Sequence, residues 1–159
     1  MSRTFQLTSR QWLPRAPEEV FAYFSDAFNL ENLTPPWLQF RVLTPAPIAM
    51  RTGTEIDYRL RLRGLPLQWR SRISDWTPPF RFVDDQITGP YRRWHHVHMF
   101  EAQECGTSVI DVVEYASIGG RLAQSLFLRR DLRGIFTYRQ QRLADLFGAD
   151  PDNPPQLSV

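Results

Sequence analysis

Arg15-Ala-Pro-Glu-Glu-Val-Phe-Ala-Tyr-Phe-Ser-Asp26 decides how this chain is organised. Pro17 stands where a first helical turn accepts it, because its missing N–H would be unpaired there. Glu18 and Glu19 lie at the positive end of the helix dipole. Val20, Phe21 and Phe24 recur at helical spacing and give the segment one apolar stripe. Just upstream, Thr4-Phe-Gln-Leu-Thr-Ser-Arg-Gln-Trp12 reads as a strand. A strand feeding a short amphipathic helix, ahead of many strand-like segments, points to a sheet wrapped around something and gripped by helices.

Residues 27–34 read as a second short helix with Leu30 and Leu33 on one side. Pro35-Pro36 ends it, since proline disfavours helix in the residue before it. Residues 37–43 read as extended, and Pro45 and Pro47 mark a loop. Glu55-Ile-Asp-Tyr-Arg-Leu-Arg-Leu62 alternates without a break, so Ile56, Tyr58, Leu60 and Leu62 share one face of a half-buried strand. After Arg63-Gly64 the alternation resumes over residues 67–76, with Leu67, Trp69 and Ile73 on the apolar side, until Pro78-Pro79. Residues 81–88 form the next strand, and Gly89-Pro90 turns it into residues 91–102. Glu104-Cys-Gly-Thr107 is a hairpin turn into residues 108–117, and Gly119-Gly120 ends the sheet. Residues 121–147 lack proline. Leu128, Leu132, Ile135, Phe136, Leu143, Leu146 and Phe147 recur there at three- and four-residue steps, which predicts a long amphipathic helix with a bend or close contact at Gly134. Residues 148–159 read as a disordered tail. The expected fold is α+β: a curved antiparallel sheet of about seven strands gripping a long C-terminal helix, with residues 1–147 as a single domain.

Composition narrows the function. The chain has 159 residues and 42% hydrophobic content, enough for a sizeable core. No apolar run approaches the ~18 residues of a membrane span, and the start of the chain lacks a secretory-type apolar stretch. Cys105 is alone, so no internal disulfide forms and a cytoplasmic setting is expected. All 19 basic residues are arginine, which excludes Schiff-base chemistry on lysine. Net charge is +2, but six arginines against Asp131 and Asp145 concentrate positive charge in residues 121–147. Arg129, Arg130, Arg133 and Arg142 give that helix a basic face, either merely solvated or able to meet a partner or an anionic membrane surface. No base-stacking motif accompanies the arginines, and no nucleic-acid role is expected. No Gly-x-Ser-x-Gly elbow or phosphate-binding glycine loop occurs, and Cys105 in its turn is expected to be inert.

Pro17-Glu-Glu-Val-Phe-Ala-Tyr-Phe24, Leu33-Thr-Pro-Pro-Trp37, Gly89-Pro-Tyr91, Trp94-His-His-Val-His98 and the terminal helix together resemble the START-like superfamily, also called SRPBCC. It shares the helix-grip fold of birch-type pollen allergens, lipid-transfer domains and polyketide cyclases. The likeness spans residues 3–147 and is nearest to a small bacterial cyclase/dehydrase-like branch. It implies a deep, mostly apolar cavity between sheet and long helix, and usually no tightly bound metal or organic cofactor. It specifies fold more than function, because one fold hosts many chemistries.

The three histidines fall within four residues, and on a strand His96 and His98 share a face with Trp94 and Phe100. A Cys105-Gly106 turn would pair residues summing to 211: His96 with Tyr115, His98 with Val113, Phe100 with Asp111. Pairs summing to 180 across Gly89-Pro90 would set Asp84 opposite His96 and Gln86 opposite Trp94. Asp84, Gln86, Trp94, His96, His98, Phe100, Asp111 and Tyr115 would then share one surface, and a slip of one residue would undo it. Buried, such groups must pair with each other, water or a ligand. They could anchor a ligand's carbonyl or hydroxyl. They could move protons in a cyclisation, dehydration or hydrolysis, with His96, His98, Asp84 or Asp111 as the acid–base groups. His96 and His98 could hold a metal with Asp84 or Asp111, although the spacing alone argues weakly for it and no metal or cofactor is expected. A hydrogen-bond network that only fixes strand order would use the same residues. The expected function is binding of a small hydrophobic molecule, a lipid, isoprenoid or polyketide-like ring. Ile56, Tyr58, Leu60, Trp69, Trp94, Leu132 and Phe136 form the expected wall, with Asp84, Gln86, His96, His98, Phe100 and Tyr115 beside it.

Overall fold

Strand β1 (Phe5–Leu13) runs into helix α1 (Pro17–Ser25) in the computed structural model, which describes residues 3–119, 122 and 127–159. Pro17 opens α1, Glu18 and Glu19 fill its first turn, and Val20, Phe21 and Phe24 are its buried residues. The second short helix is split: a 3-10 turn at Ala27–Asn29, capped by the Asp26 carboxylate accepting from the Phe28 N–H, leads into α2 (Leu30–Leu33).

Residues 37–43 depart from the extended reading. Pro36–Leu38 form a second 3-10 turn, and Gln39 follows in the left-handed region at φ 45°. Only Arg41–Val42 remain as strand β2. The remaining strands are β3 (Glu55–Leu62), β4 (Leu65–Thr77), β5 (Arg81–Thr88), β6 (Tyr91–Gln103), β7 (Gly106–Ser117) and β8 (Gln156–Ser158). The sheet is antiparallel and has eight strands rather than seven, in the order β2-β3-β4-β5-β6-β7-β1-β8. The added strand comes from the segment read as a disordered tail: residues 156–158 pair with Arg10, Ser9 and Thr8 of β1.

Helix α3 (Arg129–Phe147) lies against the concave face. Residues 121 and 123–126 of the expected helix lie outside the described residues. Gly134 does not break α3; the Trp37 ring is its nearest neighbour across the gap. Leu132, Phe136, Arg139, Gln140 and Leu143 form the buried stripe. The core divides into three parts. One end gathers Leu13, Phe21, Phe24, Phe82, Phe100 and Leu143. The other gathers Leu7, Val113, Tyr115, Leu132 and Phe136. Ala27, Ile56 and Tyr58 form the third group. Polar side chains and a cavity separate them.

Candidate functional site

Three neighbouring strands and the helix build the polar centre. The β5–β6 ladder pairs Asp84 with His96, as the Gly89-Pro90 turn implied. The β6–β7 ladder runs two residues from expectation, with pairs summing to 209: Trp94 with Tyr115, His96 with Val113, His98 with Asp111, Phe100 with Val109. The turn is Glu104-Cys105, both at positive φ, and Gly106 already belongs to β7. A two-residue slip leaves every side chain on its expected face, so Asp84, His96, His98 and Asp111 still meet.

The two imidazoles stack with ring centroids 3.7 Å apart and span between the two carboxylates. His96 Nε2 lies 2.8 Å from Asp111 Oδ1, and His96 Nδ1 lies 3.8 Å from Asp84 Oδ2. His98 uses its nitrogens the other way round: Nε2 is 2.7 Å from Asp84 Oδ2 and Nδ1 is 3.2 Å from Asp111 Oδ1. Arg139 joins from α3, its Nη2 3.1 Å from Asp111 Oδ1 and 3.4 Å from His98 Nδ1. Its guanidinium also lies over the Phe24 ring. Asp111 is 3% exposed at the side chain and forms the inner pole; Asp84, at 19%, forms the pole that lines the cavity.

Burial sets the protonation states, and the partners then split them. Burial, reinforced by the His98 charge, pushes His96 down to about 4, so it is neutral near pH 7. Burial opposes the charge on His98 too, but hydrogen bonds to Asp111 and Asp84 outweigh it and raise its pKa. Burial likewise works against both carboxylates. The His98 bond and the His96 charge hold Asp84 below its ordinary value, and Arg139 with both histidines holds Asp111 well below. His98 Nε2 hydrogen-bonds Asp84, and Nδ1 lies between Asp111 Oδ1 and Arg139 Nη2.

Around this centre lies an apolar cavity of about 200 Å³. Ile56, Tyr58, Leu60 and Trp69 line it from β3 and β4, Trp94, His96 and His98 from β6, and Leu132, Phe136 and Arg139 from α3. Burial, and then the charge of Asp84, raise the Tyr58 phenol well above its ordinary value, so it stays protonated. Trp69 donates its indole N–H to Ser71 Oγ at 3.0 Å, and its ring meets Trp94 edge-on.

Three expected wall residues lie elsewhere. The β5–β6 ladder stops at Asp85–His95, so Gln86 does not pair with Trp94; its amide donates to the Tyr91 carbonyl and accepts from the Tyr91 N–H, closing the turn. Phe100 and Tyr115 pack in the two core clusters. Within the polar centre, Arg139 is what sequence reasoning missed. Its signal was its place on the stripe of Leu132, Phe136 and Leu143, where an arginine must find partners or pay heavily for burial. The basic face shrinks accordingly: Arg139 is buried, Arg142 contacts the Asn32 carbonyl and Asp145, and Arg63 neutralises Asp131 in a bidentate pair. Arg129, Arg130 and Arg133 remain exposed.

No protein-family model matches the chain, and no curated protein matches it in sequence. Solved structures do. The Chromobacterium violaceum protein CV1439 superposes with a TM-score of 0.70 at 18% identity, over 92% of this chain and 98% of its own. The major latex-like protein 151 of Panax ginseng gives 0.67 at 9% identity, over 91% and 97%. Ara h 8.0201 gives 0.61 at 14% identity, over 89% and 99%. The chain has the helix-grip fold. In this helix-grip chain the layout of curved sheet, α1 and α3 is the shared part, and at such identities the likeness extends to the fold alone. No described helix is long and apolar enough to cross a membrane.

Proposed function

We propose that the protein binds a small, mostly apolar molecule between the sheet and α3, with its polar group directed at Asp84 and His96. The observation that carries this reading is a mostly apolar cavity whose lining gathers Asp84, His96, His98 and Arg139 at one place. Volume narrows the ligand. The cavity volume is about 200 Å³. It is below the ~300–1,000 Å³ of drug-sized sites. A compact ring or a short isoprenoid fits; a two-chain lipid does not, unless the walls move.

The polar pole favours a hydrogen-bond donor. With Nε2–H committed to Asp111, neutral His96 presents Nδ1 as an acceptor, beside the Asp84 carboxylate. A ligand hydroxyl can donate its one hydrogen to either acceptor; a carboxylate has none to give and would meet Asp84 as a like charge. Turnover by acid–base catalysis has less support. His98 has both ring nitrogens occupied, Nε2 by Asp84 and Nδ1 between Asp111 and Arg139, and a base near pKa 4 is poorly matched to work at neutral pH.

Trp69 and Trp94 in the wall make their fluorescence a readout. Saturable quenching by a one-ring hydroxylated compound, at least roughly tenfold tighter than by its deoxy analogue, is the expected result. Asp84→Asn should shrink that preference. Equal affinity for both compounds would refute the polar anchoring, and no saturable response across a panel of such compounds would refute the binding.

A further inference from the structure

We propose that Asp84, His96 and His98 form a binding site for one divalent transition-metal ion at the cavity end of the polar centre. Each residue offers one ligand atom, and the three atoms lie within 4.8 Å of one another. Convergence alone is common; the support behind the ligands sets this site apart. Asp111 Oδ1 sits 2.8 Å from His96 Nε2 and 3.2 Å from His98 Nδ1. That carboxylate hydrogen-bonds the His96 ring, and His98 Nδ1 lies between it and Arg139 Nη2, 3.4 Å away. That sets the His96 tautomer, and the opposite nitrogens, His96 Nδ1 and His98 Nε2, both face Asp84. Histidines that bind metals are held in this way, through a carboxylate on the far nitrogen.

Arg139 pairs with Asp111, the supporting carboxylate, at 3.1 Å. Asp84, Asp111 and Arg139 leave one negative charge in a buried site, which attracts a cation. The metal would take the place of the proton shared by His98 and Asp84. Two imidazoles and one carboxylate suit zinc or iron(II), and only three protein ligands leave positions open toward the cavity. A donor oxygen of the cavity's occupant could fill one. The site does not depend on that occupant, because the ligands and their support stand without it. His95 cannot take part: it lies on the other face of β6, with Nδ1 2.6 Å from Asp85.

The test uses the full chain, treated with a chelator and titrated with Co2+ alone while visible absorption is recorded. The expected result is one Co2+ per chain with ligand-field bands, displaced by one equivalent of Zn2+. His95→Gln should bind as wild type. Asp84→Asn, nearly isosteric and expected to fold, should bind at least ~10-fold more weakly, and Asp111→Asn roughly 10–100-fold more weakly. Circular dichroism would verify that each variant is folded. Absence of one-to-one bands, or bands undiminished in folded Asp84→Asn, overturns the metal site. Compound binding by chelator-treated protein, read from tryptophan fluorescence, separates this result from the fate of the cavity proposal.

Discussion

His96 and His98 are two residues apart on one strand, yet burial and partners drive them in opposite directions. A depressed pKa in the folded state means that the unfolded chain binds the proton more tightly, so acid favours unfolding. The His96 contribution is therefore complete above its unfolded value near 6.5. It is lost as pH falls from there toward about 4. His98 runs the other way: its raised pKa contributes below 6.5 and fades as pH rises through the folded value. Urea unfolding across pH 4–8 should show the stability gap between wild type and His96→Gln narrowing with acid, and that between wild type and His98→Gln narrowing with base. Gaps that stay flat would contradict the assignment. Asp111 is the keystone, since its Oδ1 receives His96, His98 and Arg139 together. Breaking a buried ion pair by removing one partner costs about 3–5 kcal/mol. Asp111→Ala should approach that loss in chemical denaturation, well beyond Asp84→Asn at the cavity edge.

At the level of elements, alternation and capping carried most of the reading. Glu55–Leu62 alternates in sequence and buries Ile56, Tyr58 and Leu60 in the structure, because a pleated strand with one covered face admits no other register. The β6–β7 turn was misread for a physical reason. Glycine usually signals a positive φ, so Cys105-Gly106 looked like the loop. Here Glu104 and Cys105 take the positive φ, and Gly106 is glycine for space: a Cβ there would press on the Leu13 carbonyl oxygen and the Trp12 ring. That close approach links residues far apart in sequence, and no local pattern encodes it. Strand β8 was missed likewise, since three residues after a proline-rich run carry no period of their own. Leu157 packs beside the Leu7 cluster, and Gln140 Nε2 donates to the Gln156 carbonyl at 3.0 Å. Leu157→Ala should cost about 1–2 kcal/mol for a partly buried side chain. Deleting residues 156–159 should speed hydrogen exchange of the β1 amides freed at that edge. Unchanged exchange there would show that β8 does not hold the edge.

For the whole molecule, the decisive feature is that sheet and α3 leave space between core clusters instead of closing on each other. The candidate site was legible where face and pairing sufficed: Asp84, His96 and His98 came together as the strand order required. Arg139 and the cavity volume were not, because both depend on how α3 sits over the sheet. Filling the space should separate binding from stability. Leu60→Trp projects into the cavity; overpacking of this kind typically costs about 1–3 kcal/mol, while ligand uptake should be lost. The most direct test of the account is native mass spectrometry of the protein purified without added ligand, then offered a one-ring hydroxylated compound, beside Leu60→Trp. The account predicts a one-to-one adduct, either co-purified or formed on addition, in wild type and absent from the folded variant. An adduct of equal abundance in both proteins, or none in either, would contradict it.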